Sequence, residues 1–172
     1  MKTAVMIIDL LDKSRWALEL YYFRGKKTLS TFDDLIKLLD YTQSNGLPLV
    51  VISPRSDGFD EYLPEVRNHK DFKVAKLICK DNSNAFTNPE VDEHLKGIGV
   101  KQLVLGGYNF FGCVSAAAES AYKIGYSLYT AKTILYVSPV TDAARSEKEV
   151  VEGYFKKVYE NVDALAHGLG LH

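Results

Sequence analysis

Four short apolar runs, at residues 5–8, 49–52, 74–79 and 101–106, recur along the chain with helix-like segments between most of them. Short, continuous runs rich in valine, isoleucine and leucine suit strands covered on both faces, which is the pattern of a parallel sheet. Strands alternating with helices predict an α/β chain: a three-layer α/β/α sandwich with a mainly parallel sheet of about six strands. At 172 residues the chain is long enough for a sizeable core and short for two domains, so residues 1–172 are expected to form one.

The segments between the runs carry their own signals. Asp33 and Asp34 favour a helix N-terminus, with Ser30 or Thr31 as the cap. Phe32, Leu35, Ile36 and Leu39 follow helical spacing, and Asn45-Gly46 stops that helix. Asn88-Pro89 opens a second helix that carries Val91 and Leu95 inward. Ser146, with Glu147 and Glu149, starts another, and residues 162–169 form a terminal helix. Residues 10–27 fit neither period and read as an irregular or short helical connection. Residues 53–71, with Pro54, Gly58 and Pro64, read as a long polar loop with room for a short helix. Residues 127–137 are β-rich, and 158–159 supply a last short strand.

A formal net charge of −1 gives no footing for a nucleic acid or an anionic membrane. No apolar run approaches the roughly 18 residues of a membrane-spanning helix. The apolar start stops at Asp9 without a small-residue cleavage pattern, so the cytoplasm is the expected compartment. Cys79 and Cys113 lack CxxC spacing and read as free thiols. Cys79, inside the third run, is expected to be a small buried hydrophobe.

Three strand ends bear chemistry. Asp9 follows the first run and Lys80 the third. Cys113 follows the fourth, across the turn Gly106-Gly107-Tyr108-Asn109-Phe110-Phe111-Gly112, and opens an alanine-rich helix. Alone, an acid after a strand is an ordinary turn residue and a lysine opening a loop an ordinary solvated charge. In a parallel sheet, however, the carboxyl ends of the strands share one crevice. A thiol needs to lose its proton to attack, a helix N-terminus and an ammonium favour that loss, and a carboxylate can accept the proton. Backbone N–H groups of the 107–113 turn can hold the oxyanion that forms when a carbonyl is attacked.

These residues resemble the isochorismatase-like cysteine hydrolases, a superfamily of nicotinamidases, N-carbamoylsarcosine and ureidoacrylate-type amidohydrolases, and isochorismatases. The resemblance rests on the strand ending in Asp9, on Lys80 followed by Ala85-Phe86, on Gly107-x5-Cys113-Val114, and on Gly125-Tyr126 after the helix. It implies Cys113 as nucleophile, Asp9 as general base and Lys80 as the cation beside the thiolate. It also implies a cis peptide at Tyr108-Asn109 and an oxyanion hole of the Asn109 and Cys113 N–H groups. The implied activity is a metal-independent hydrolase opening an amide-type C–N bond of a small molecule through a thioester, in a homo-oligomer. The alternative is a non-catalytic binding or scaffold relative with a diverged pocket.

Departures from the family accompany the match. Ser53-Pro54-Arg55-Ser56-Asp57 stands where nicotinamidases carry an Asp-x-His metal motif, and the four histidines lie elsewhere, so no metal or other cofactor is expected. Phe110-Phe111 replaces a Thr-Asp pair, Leu10-Leu11-Asp12-Lys13 a polar run, and no aspartate stands near Thr133. Isochorismatases acting on a vinyl ether carry glycine in place of the cysteine; the spacing to Gly125-Tyr126 favours Cys113 at that position. Trp16, Phe86, Tyr108 and Phe110 are the aromatic candidates for a substrate pocket. Arg55 can meet a substrate carboxylate, although a solvated loop arginine is the simpler reading.

Overall fold

Strand β1 (Lys2–Ile8) shows why the apolar runs are continuous. Val5 and Ile7 pack into one core layer, while Ala4, Met6 and Ile8 pack into the other. A strand buried on both faces has no polar side to alternate with. The computed structural model describes residues 1–15, 32–137 and 153–172. The expected cap at Ser30 or Thr31, the helix from Ser146, Trp16 and most of the 10–27 connection lie outside them.

After β1 come α1 (Asp33–Ser44), β2 (Leu49–Pro54), α2 (Pro64–Arg67), β3 (Lys76–Lys80) and α3 (Pro89–Gly97). They are followed by β4 (Val100–Tyr108), α4 (Ser115–Lys123), β5 (Ser127–Ala131), β6 (Leu135–Tyr136), β7 (Phe155–Tyr159) and α5 (Val162–Leu169). Among the described residues these strands form one seven-stranded sheet in the order β3-β2-β1-β4-β5-β7, with β6 paired to β4. Every pairing is parallel. The α1 and α5 side chains Leu35, Leu38, Leu39 and Leu165 cover one face. Val91 and Leu95 of α3 and Ala117, Ala118 and Ala121 of α4 cover the other. The three layers are those expected.

The helix starts follow the sequence where capping residues exist. Asn88 accepts the Glu90 N–H with Pro89 at the first position, and Asn161 accepts the Ala164 N–H at 2.8 Å. In α1 the cap position falls on Phe32, which makes no side-chain bond to the helix. Two boundaries and one burial differ from expectation. The third strand begins at Lys76, because Lys70–Val74 turn as a 3-10 helix and leave Val74 exposed. The 127–137 segment splits into β5 and β6 around a 3-10 turn, Lys132–Ile134. Cys79 is half-buried rather than enclosed, since β3 is an edge strand.

The glycine pair in β4 has two separate causes. A Cβ on Gly106 would stand 3.1 Å from the Ile134 side chain of the turn beside it. Gly107 has φ 132°, and a Cβ there would stand 2.0 Å from the Ile8 carbonyl oxygen. Only a residue without a side chain lets β4 pass the end of β1 at that distance.

Candidate functional site

Asp9 leaves β1 with φ 53°, a left-handed conformation that aspartate tolerates better than most residues. Its N–H donates to the Ile52 carbonyl at 3.0 Å, and its own carbonyl accepts the Leu11 N–H at 2.9 Å. The carboxylate is thereby tied to the ends of both β1 and β2. Lys80 ends β3, two strands away, and its side chain spans the end of β2. Its Nζ lies 2.7 Å from Asp9 Oδ2, 3.2 Å from Cys113 Sγ and 3.2 Å from the Asn82 carbonyl oxygen. Asp9 is 5% exposed and Lys80 3%.

Cys113 arrives by a different route. β4 ends at Tyr108, the Tyr108–Asn109 peptide is cis, and Phe110–Val114 form a π-helical turn that runs into α4. The thiol therefore stands one turn into the helical segment rather than at its first residue. The Asn109 carbonyl accepts N–H groups from Gly112 at 3.0 Å and Val114 at 3.2 Å, which folds the turn tightly around Cys113. Asp9, Lys80 and Cys113, with residues 54–56 and 81–83, line a cleft of about 450 Å³.

The electrostatics decide which member holds the proton. Burial pushes the Cys113 thiol above its ordinary pKa, and the Asp9 charge adds to this; Lys80 opposes both. Lys80 acts on the thiol in the direction expected, but burial and the Asp9 charge outweigh it. Burial also raises Asp9, against the pull of Lys80 and the thiol, while the Asp57 charge pushes it further up. Burial works against the Lys80 ammonium, but the pairing with Asp9 and Cys113 outweighs it and leaves the lysine raised. Burial and the Asp9 charge thus favour the neutral thiol, and the pairing with Asp9 and Cys113 favours the Lys80 ammonium. Among the described residues Asp9 Oδ1 is buried without a hydrogen-bond partner, so the carboxylate keeps one oxygen open to a proton.

An isochorismatase domain matches residues 3–134, more than half of the chain. This chain belongs to the isochorismatase family. The uncharacterized isochorismatase family protein YddQ of Bacillus subtilis is 26% identical over 138 residues, covering 73% of either chain. N-carbamoylsarcosine amidase from Thermoplasma acidophilum has a similar structure, with TM-score 0.69 at 18% identity over 92% of this chain and 96% of that one. The YcaC product of Escherichia coli, an octameric hydrolase of unknown specificity, gives TM-score 0.65 at 21% identity over 79% of this chain. The chain spans only 64% of YcaC's length.

Within this isochorismatase-family fold the aromatic candidates go elsewhere. Phe110 is fully buried against the α3–α4 core, because the π turn directs it inward. Tyr108 packs against the opposite layer, and Phe86 lines a separate groove, its ring 6.1 Å from that of Tyr126. Packing claims all three, and none borders the cleft; Trp16 lies outside the described residues. Arg55 does border it, while staying a largely solvated loop residue. Tyr62 went unnoticed in the sequence. Its ring is buried under the Asp9 turn, its hydroxyl donates to the Ile52 carbonyl, and burial with the Asp9 charge raises its pKa well above the ordinary value. Leu11 bridges Tyr62 in antiparallel fashion, joining the chain after Asp9 to the 54–63 loop. Only that pairing could have revealed it. Among the described residues no group of three or more His, Cys, Asp or Glu side chains is arranged to hold a metal, and no helix is long and apolar enough to cross a membrane.

Proposed function

We propose that this chain is a cysteine hydrolase that opens an amide-type C–N bond of a small molecule without a metal or other cofactor. The observation that carries the reading is the buried contact set of Lys80 Nζ, 2.7 Å from Asp9 Oδ2 and 3.2 Å from Cys113 Sγ. The amidase name of the Thermoplasma neighbour fits it.

In the proposed reaction, Sγ attacks the substrate carbonyl carbon as the S–H proton moves to Asp9. A carboxylate raised by burial is the stronger base, and a raised thiol needs one. The carbonyl oxygen takes the negative charge, and the N–H groups of Asn109 and Cys113 receive it. Asp9 returns the proton to the leaving nitrogen, the C–N bond breaks, and a thioester remains on Cys113. Water then attacks that carbonyl carbon and gives its proton to Asp9. The C–S bond breaks, the acid leaves, and the thiol recovers its proton. Lys80 stays charged throughout, holding Asp9 in place and balancing the thiolate. We extend the octameric state of YcaC to this chain as self-association.

The test is mass spectrometry of the protein after brief exposure to a mixed library of small amides. An acyl adduct on the Cys113 peptide, absent from the Cys79 peptide, is the expected result. No adduct, with equal slow alkylation of both thiols by iodoacetamide, overturns the proposal.

A further inference from the structure

The cleft contains a second pair of charges that the proposed chemistry does not use. Arg55 follows β2 and Asp81 follows β3; the Arg55 guanidinium donates to Asp81 through Nε at 2.6 Å and Nη2 at 3.3 Å. The Arg55 N–H also donates to the Lys80 carbonyl at 2.9 Å. Arg55 is therefore anchored twice beside Lys80, through Lys80's own backbone and through the next side chain. The two side chains are 63% and 67% exposed, so the pair contributes little to stability and can exchange partners.

Spare donors gather around this pair. Asp81 accepts with both of its oxygens. Nη1 of Arg55 donates to nothing among the described residues. Asn82 spends its Oδ1 on the Asn84 N–H and the Thr87 hydroxyl, which leaves the Nδ2 donors free, and the Ser83 hydroxyl has no partner among the described residues. The two strand-end segments at the mouth of the cleft thus offer unspent N–H and O–H donors around one guanidinium. Such a surface fits a planar group of acceptor oxygens.

We propose that Arg55 is a specificity-determining residue that selects substrates carrying a carboxylate next to the reacting amide. The inference deepens the hydrolase reading and rests on it for the reaction, though not for binding. Arg55 holds the substrate carboxylate through Nη1, Asn82 and Ser83 add neutral donors, and Asp81 orients the guanidinium while tempering its hold on anions.

Protection of Cys113 from iodoacetamide tests this, with glutarate and its neutral analogue glutaramide as competitors and the Cys113 peptide quantified by mass spectrometry. Glutarate is expected to half-protect at a concentration at least about 10-fold below glutaramide, the discrimination due to a charge-assisted hydrogen bond. Arg55→Gln is expected to bring the two within about 2-fold, and Arg55→Lys to retain part of the preference. Asp81→Asn, which frees the guanidinium, is expected to improve protection by glutarate at least about 2-fold. Equal protection by the two competitors in the wild type, or an unchanged preference in Arg55→Gln, overturns the proposal. So does a loss of glutarate protection in Asp81→Asn as large as that in Arg55→Gln, which would make the pair a structural clasp. Because the assay reads occupancy, a carboxylate preference without amide turnover removes the hydrolase reading and leaves the anion site. Turnover of neutral and anionic amides with one efficiency, unchanged in Arg55→Gln, removes the anion reading and leaves the hydrolase.

Discussion

Two depressions of equal volume, about 450 Å³ each, open on this molecule, and they are built in opposite ways. The groove between α3 and α4 is lined by Phe86, Pro89, Asp92, Glu93, Ser120, Lys123 and Ile124. Two of its charges pair within single helices, Asp92 with Lys96 and Lys123 with Glu119, four residues apart at 2.6 and 2.7 Å. Such pairs form wherever a helix surface allows them and contribute a few tenths of a kcal/mol each. In the cleft at the strand ends, the buried Asp9 and Lys80, after β1 and at the end of β3, meet the half-buried Cys113 of the turn after β4. Taking charges into the interior is costly unless they are paired, so their presence there needs a use that the groove's charges do not. Cavity size does not separate the two depressions, but the burial of unlike titratable groups does.

The largest effect that could break this contrast is the loss of the thiol. Cys113→Ala is expected to lower amide turnover by a factor on the order of 10⁴ or more while leaving the circular dichroism spectrum and Tm near wild type. Retention of a tenth of the activity would remove the cleft's claim to the chemistry. Next in size is stability. Lys80→Ala strands Asp9 as a buried, unpaired carboxylate and is expected to cost roughly 3–5 kcal/mol in urea unfolding at neutral pH. The deficit should shrink as pH falls and Asp9 takes up a proton. Lys123→Ala, in the groove, should stay within about 0.5 kcal/mol of wild type. Comparable losses in the two variants would erase the distinction.

The pH dependence sharpens the same comparison. Burial raises Asp9 above its ordinary value of 3.8, and in the proposed reaction its carboxylate form is the base. The acid limb of kcat/KM is therefore expected to have its midpoint above 3.8, with activity falling about tenfold per pH unit below it. Lys80 is raised above 10.5 in the folded state. The stability it contributes is full below that value and is lost as pH climbs through the folded pKa. An acid limb centred at or below 3.8 would mean that Asp9 is solvated and not the base. The smallest expected effect is in the groove: Phe86→Leu should change kcat/KM by less than about 2-fold, because its ring packs on Tyr126 and not on the cleft. A larger loss would join the groove to the site.

The strand ends were readable because two regularities coincide. Buried parallel strands are continuous apolar runs, and their carboxyl ends face one crevice, so Asp9, Lys80 and the turn before Cys113 follow from spacing. The aromatics were not readable, because composition does not tell which way a ring points. Phe110 turns inward only through the π turn, and Phe86 follows the 3-10 turn Ala85–Thr87 away from Lys80. The early start assigned to the third strand came from Val74, whose apolar side chain is exposed at the end of a 3-10 turn. Arg55 and Tyr62 lie in a loop whose register is set by contacts with Leu11 and Lys80, distant in sequence and silent in any local pattern.

Gly107 separates what this molecule can alter from what it cannot. The Asp9 turn after Ile8 and the Cys113 turn after Tyr108 hang from adjoining strands at a point with no room for one carbon atom. Any side chain at 107 would push the two strands apart and move Asp9 and Cys113 with them. Repurposing the protein for another compound therefore runs through Arg55, Ser56 and residues 81–83, which face solvent and bear little of the core. The spacing of Asp9 and Cys113 is inherited with the sheet as a single unit.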